Sequence, residues 1–249
     1  MKILVLSDIH SNIYALEAIW KREKREDVLL CAGDLVDYGT TPKEIIAWMR
    51  EHDVLSVRGN HDQHLVNIYR QDVCRHTQPN EWKWVHDNCL KLDETDVKYL
   101  AALPEVLDMN FDGIRYTMRH MYRDYEQIET LTALDDYLRE IDVPASPPGE
   151  EHRLIFGHTH RRCVHYLADN RLWINPGSAS YRRPGDPDKS AHYAVIQDGR
   201  IHLRSVPYDR QPLLRETEAY ARRRAMMVTE LQDAFFYFGN ARTKRDPVE

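Results

Sequence analysis

The sequence predicts an α/β fold built on a mainly parallel sheet. Three observations carry that expectation: apolar runs of strand length recur near the amino terminus, segments of helical periodicity separate them, and each run stops abruptly at a polar cluster. The first run, residues 2–7 (KILVLS), turns polar at Asp8. Ile13, Leu16, Ile19 and Trp20 then recur at helical spacing. Residues 28–32 (VLLCA) read as a second buried strand, stopped by Gly33 and Asp34. Thr41, Pro42 and Glu44 read as a helix start, with Thr41 as cap, Pro42 in first position and Glu44 closing a capping box. Val54, Leu55 and Val57 form the third strand. Strand–helix–strand order implies right-handed crossovers, and ligands of such sheets gather beyond the carboxyl ends of the strands.

Residues 62–103 read as mostly helical. Beyond them, short strands are expected at about 105–109, 113–118, 153–157, 163–168, 171–175, 192–197 and 201–206, punctuated by Asp112-Gly113, Asp169-Asn170 and Asp198-Gly199. They read as the second half of one sheet system, interrupted by a helix near 125–140. A terminal helix is expected over 213–238, with a loose tail after it.

The chain has 249 residues, of which 42% are hydrophobic and 30% charged, a globular composition with enough length for one substantial core. A formal net charge of -6 argues against a nucleic-acid partner, which favours a basic surface. The apolar run at the start is too short for a signal peptide, and no stretch approaches the roughly 20 apolar residues that span a bilayer. Cys31, Cys74, Cys89 and Cys163 include no Cys-x-x-Cys pair and read as reduced thiols of a cytoplasmic protein. The aromatic run at residues 235–238 (FFYF) could pack on the core or meet another subunit of a homo-oligomer.

Four clusters follow apolar runs: Asp8-Ile9-His10, Gly33-Asp34-Leu35-Val36-Asp37, Gly59-Asn60-His61-Asp62 and Gly157-His158-Thr159-His160. They supply carboxylates, imidazoles and one amide, the donors that hard-to-borderline divalent metals accept. In extended backbone, residues i and i+2 point to one side, so Asp8 and His10 can converge on an ion, as can His158 and His160. A carboxylate such as Asp34 can bridge two cations roughly 3.5–4 Å apart. Asp62 reads as a residue that steadies its loop or caps the next helix.

With these clusters in this order, and with GDLVDYG, INPGS (residues 174–178) and HYAVIQDGRI, the chain resembles the calcineurin-like metallophosphoesterases of the compact bacterial and archaeal branch. The resemblance covers roughly residues 1–207. It implies a four-layer α/β/β/α sandwich over 1–207, with 208–249 as a helical extension and tail. It implies two divalent ions, manganese first, with iron, zinc, cobalt or nickel as alternatives. Asp8, His10, Asp34 and His160 would hold the first ion, and Asp34, Asn60, His120 and His158 the second. A hydroxide shared by the ions would attack phosphorus in line, while His61, partnered by Asp37, acts as general acid at the leaving oxygen. The fork of Arg58 could grip phosphate oxygens, and Arg182 or Arg183 could line the same cleft, with Arg119 and Arg123 beside His120 as further candidates. His120 departs from the family pattern, since Met121 stands where the family usually has glycine, implying an altered loop. The implied activity is hydrolysis of phosphomonoesters or phosphodiesters in small phosphorylated substrates. Alternatives are a non-catalytic binding or scaffold protein on the same fold, or a nuclease or protein phosphatase within the family.

Overall fold

The computed structural model describes residues 1–24, 26–180 and 188–244; Arg182 lies outside them. Two five-stranded sheets form the centre. In the first, β1 (Lys2–Leu6), β2 (Val28–Cys31) and β3 (Leu55–Ser56) run parallel, and β9 (Ala191–Gln197) and β10 (Arg200–Val206) extend it antiparallel on the far side of β1. The second holds β4 (Val106–Phe111), β5 (Ile114–Arg119), β6 (His152–Ile155), β8 (Arg171–Asn175) and β7 (Cys163–Ala168), in that spatial order. Here β5, β6 and β8 are parallel and both edges antiparallel.

Residues 105–206 are therefore not the continuation of one sheet. Strands β4 to β8 build a separate sheet, and the last hairpin returns to the first. Side-chain alternation shows why. Ile3 and Val5 of β1 pack against Tyr116, Met118, Ile155 and Ile174 of the second sheet, while Leu4 and Leu6 join the cluster under the helices.

Helices α1 (Ile13–Glu23), α2 (Pro42–Glu51), α3 (Asn60–Arg70), α4 (Trp84–Lys91) and α5 (Glu94–Ala102) contribute Leu16, Ile45, Leu65, Val85 and Leu100 to that outer cluster. On the opposite side, α6 (Leu131–Glu140) lays Leu134, Tyr137 and Leu138 against Leu154, Phe156 and Trp173 of the second sheet. The result is a four-layer α/β/β/α sandwich.

Three local expectations are corrected. Thr41 precedes α2 without a capping bond, because its hydroxyl donates to the Ser11 carbonyl (2.8 Å) and accepts from Ile13 N–H (3.0 Å). The helix expected from 125 starts at Leu131, where the Thr130 hydroxyl accepts from Ala133 N–H (3.1 Å), leaving 121–130 as a loop. The terminal helix divides into α7 (Gln211–Arg223) and α8 (Val228–Phe238), broken at Arg224 with φ of 48°. Folding back lets Leu213, Leu231, Tyr237 and Phe238 share one cluster with Trp84. No helix among the described residues is long and apolar enough to cross a membrane.

Candidate metal centre

Asp8 follows β1, Asp34 follows β2, Asn60 opens α3 after β3, His120 follows β5, and His158 and His160 follow β6. The expected extended pairing of Asp8 with His10, and of His158 with His160, is replaced by something tighter. Asp8 (φ 51°), His10 (φ 48°), Asp34 (φ 56°), His158 (φ 61°) and His160 (φ 57°) all adopt left-handed backbone. Such conformations are sparsely populated by non-glycine residues and gather at functional sites. Gly59 has no substitute here, because a Cβ would collide with the Asp34 carboxylate.

Two sets of acceptor atoms result. His10 donates from Nδ1 to the Val36 carbonyl (3.2 Å), so its Nε2 presents a lone pair, 3.2 Å from His160 Nε2. The same His160 nitrogen lies 3.3 Å from Asp8 Oδ1. Burial pushes the His10 ring down to about 4 and keeps it neutral. In the second set, His120 donates from Nδ1 to the Ala32 carbonyl (2.6 Å), which turns an Nε2 lone pair toward Asn60 Oδ1 (3.0 Å) and Asp34 Oδ2 (3.2 Å). His158 Nδ1 lies 3.0 Å from the same Asn60 oxygen, and its Nε2 lies 3.3 Å from Asp124 Oδ1.

Ring lone pairs facing carboxylate and amide oxygens repel unless a proton or a cation lies between them. The demand is visible in His120: burial opposes its protonation, yet the neighbouring Asp34 carboxylate pushes the ring up to about 10. Burial alone would raise the Asp34 carboxyl, but His120 and His61 hold it well below the usual range. Asp8, His10 and His160 place ligand atoms within 4.8 Å of one another, as do Asp8, Asp34 and His120. The donor chemistry fits two divalent cations, and Asp34, 3.9 Å from His10 Nε2, reaches toward both sets.

His61 stands beside them. Its Nδ1 bonds Asp37 Oδ2 (2.7 Å), while Asp37 Oδ1 accepts from Tyr38 N–H (2.7 Å). Burial works against the charged ring, but Asp34 and then Asp37 push His61 up to about 9. The Tyr38 ring packs 4.9 Å from His10 and 4.7 Å from His61 between ring centroids. Arg58, expected at the substrate, donates to the Ala101 carbonyl (2.9 Å) and to Glu105 (3.1 Å) at the edge of a cavity shared with Asn60 and His120.

Several supporting residues escaped the sequence reading. Asn88, fully buried on α4, accepts from Asp37 N–H (2.9 Å) and the Ser11 hydroxyl and donates to the Gly39 carbonyl (2.8 Å). Nothing local distinguishes it from any amide in a helix. Asn175 donates to the Gly157 carbonyl (2.6 Å) and Ser178 to the Asp8 carbonyl (2.8 Å). Both lie in the INPGS segment, so a signal existed without a role attached.

A two-sheet sandwich with paired acidic and histidine clusters at its strand ends defines a class of metal-dependent hydrolases. The model of the calcineurin-like phosphoesterase superfamily domain matches residues 1–198, and the chain belongs to that superfamily. Among its relatives, the Methanocaldococcus jannaschii protein MJ0912 is 26% identical over 223 residues, covering 83% of this chain and 88% of its own length. The fold is similar to that of a metallophosphoesterase from Sphaerobacter thermophilus, with a TM-score of 0.68 and 24% identity over 94% of this chain and 98% of the other. Protein PH1004 from Pyrococcus horikoshii OT3 follows with a TM-score of 0.64 and 16% identity, covering 88% and 92%.

Proposed function

We propose that the protein is a metal-dependent phosphoesterase acting on phosphomonoester or phosphodiester bonds of small phosphorylated substrates. One observation carries the reading: two converging sets of acceptor atoms lie beside a histidine that is ion-paired to a carboxylate. When bound, two divalent ions supply Lewis acidity toward phosphoryl oxygens and a water made nucleophilic near neutral pH, for direct in-line attack. Asp8, His10, Asp34 and His160 would hold one ion, and Asp34, Asn60, His120 and His158 the other. The protonated His61 gives its proton to the leaving oxygen, and Asp37 keeps the ring from turning away. Arg58 and Arg182 contact the substrate. A cysteine nucleophile is disfavoured, since burial raises the Cys31 thiol well above its ordinary value. Manganese is the first metal to try, then iron, zinc, cobalt and nickel.

The test strips the purified protein of metal, restores each ion separately, and follows para-nitrophenyl phosphate beside its bis ester. Turnover is expected only with metal. His61→Ala should lower kcat by about 10²–10⁴-fold, and Asp34→Asn should abolish both activity and tight metal binding. A protein that binds no metal, or turns over equally without it, would overturn the proposal.

A further inference from the structure

A cavity of about 350 Å³ adjoins the metal centre, with Asn60 and His120 among its lining residues. One wall is a single face of α3. Asn60, Gln63, His64 and Asn67 stand at i, i+3, i+4 and i+7 and all line the cavity, so the wall runs outward from the centre for about 10 Å. Gln63 Nε2 donates to Asn67 Oδ1 (2.8 Å), and the pair retains a carbonyl acceptor at Gln63 and an amino donor at Asn67.

Two guanidinium groups, those of Arg58 and Arg119, also line the cavity. Arg58 is fixed by Ala101 and partly neutralised by Glu105. Arg119, the last residue of β5, lies beside His120 with its guanidinium 5.9 Å from the centre of the Tyr137 ring, whose hydroxyl donates to the Met121 carbonyl (3.4 Å). Among the described residues, no carboxylate forms an ion pair with Arg119. Glu140, whose carboxyl feels the charge of Arg119, is already bound by Arg123 at 2.8 Å. A half-buried guanidinium facing a cavity without a carboxylate partner is an unmet demand for an anion.

We infer that this cavity is a subsite for a second phosphate of the substrate, with Arg119 as its principal anchor and the α3 amides binding hydroxyl groups between the two phosphates. The inference rests on the phosphoesterase reading and narrows it. The preferred substrate carries a further phosphate on a hydroxylated frame, of the sugar bisphosphate or nucleotide kind, rather than being a simple ester. The centre engages the scissile phosphate, and the outer phosphate lies within the reach of the α3 wall. Donor forks suit this role, because a guanidinium binds phosphate through two parallel hydrogen bonds.

The test compares adenosine 5′-monophosphate with adenosine 3′,5′-bisphosphate, which differ only by a second phosphate. Their inhibition constants are measured against whichever para-nitrophenyl ester the metal-restored protein hydrolyses, and their dissociation constants by calorimetry on the same protein. The bisphosphate should bind about tenfold more tightly or better, roughly 1.4 kcal/mol. Arg119→Met should cut that advantage to less than about threefold, and Arg119→Lys should restore part of it. The double variant Gln63→Ala/Asn67→Ala, on a helix surface, should weaken both nucleotides while leaving their ratio nearly unchanged. Equal affinity for the two nucleotides in the unaltered protein, or an advantage that survives Arg119→Met, would overturn the subsite. Absence of ester turnover would count against the phosphoesterase reading, whereas the calorimetric ratio and its response to Arg119→Met judge the subsite alone.

Discussion

Backbone N–H groups of Asp34, Leu35, Val36 and Gly59 all point at one buried carboxylate, Asp62. That side chain joins the loop after β2 to the start of α3, and so fixes Asp34 relative to Asn60 and His61. Its residue type was legible in the GNHD motif, and its role as a brace was expected. The four donors it gathers were not, because three of them lie 26–28 positions away. Asp62→Ala would strand those donors in a buried place. An unsatisfied buried group costs about 1–3 kcal/mol, and partial relaxation brings the expected loss to about 2–4 kcal/mol in urea unfolding. Metal affinity measured by calorimetry should fall with it, and Asp62→Asn should lie between. Unchanged stability in Asp62→Ala would show that the loops are held by other contacts.

At the scale of elements, strand β6 carries a buried histidine away from the metal centre. His152 pairs in register with Arg115 of β5 and Arg171 of β8, and its ring bonds the Thr117 and Ser146 hydroxyls, both at 2.8 Å. Burial and then Arg115 push the ring down to about 4. The folded ring is neutral, whereas the unfolded ring takes a proton below about 6.5. Its contribution is therefore present above pH 6.5 and is lost as the pH falls toward 4. Between pH 7 and pH 4.5 this loss amounts to about 2 kcal/mol. Urea unfolding across that range should show a slope that is largely absent in His152→Gln; identical slopes would rule His152 out as the source. Strands such as β6 were legible because apolar residues bounded by turn chemistry are a local signal. The start of α6 was not. Ile128, inside the expected helical span, is buried for a tertiary reason, packed in one cluster with Leu134 and Leu138 of α6, where its carbonyl accepts from Trp173 Nε1 (2.9 Å).

Across the whole molecule, α7 and α8 lie beyond the family match at residues 1–198, yet they do not stand apart. Leu213, Met226 and Leu231 close over Trp84, and Tyr38 packs against the same cluster from the side of the metal centre. Glu230 on α8 is pushed up to about 7 by burial and then by Asp37, so the hairpin shares an environment with the His61 partner. Lys189 ties the end of α8 to the approach to β9 through the Gly239 carbonyl (2.9 Å). We expect 208–244 to unfold with the sandwich rather than as a separate unit. Leu231→Ala should cost about 2–5 kcal/mol and lower a single calorimetric transition. An early, separate transition would show the hairpin to be an independent appendage.

By itself the sequence determined the α/β class, most strand positions and the four polar turns that carry the candidate site residues, since period-two alternation, helical spacing and glycine–aspartate punctuation act over a few residues. Only the tertiary structure decided which strands share a sheet, where the terminal helix breaks, and which groups support the centre. Those outcomes depend on partners far apart in the chain: His158 N–H reaches Asp8 across 150 positions, and Asn88 reaches Asp37 across 51. The left-handed turns that bring Asp8, His10, Asp34, His158 and His160 together are held by such contacts, and no local pattern specifies them.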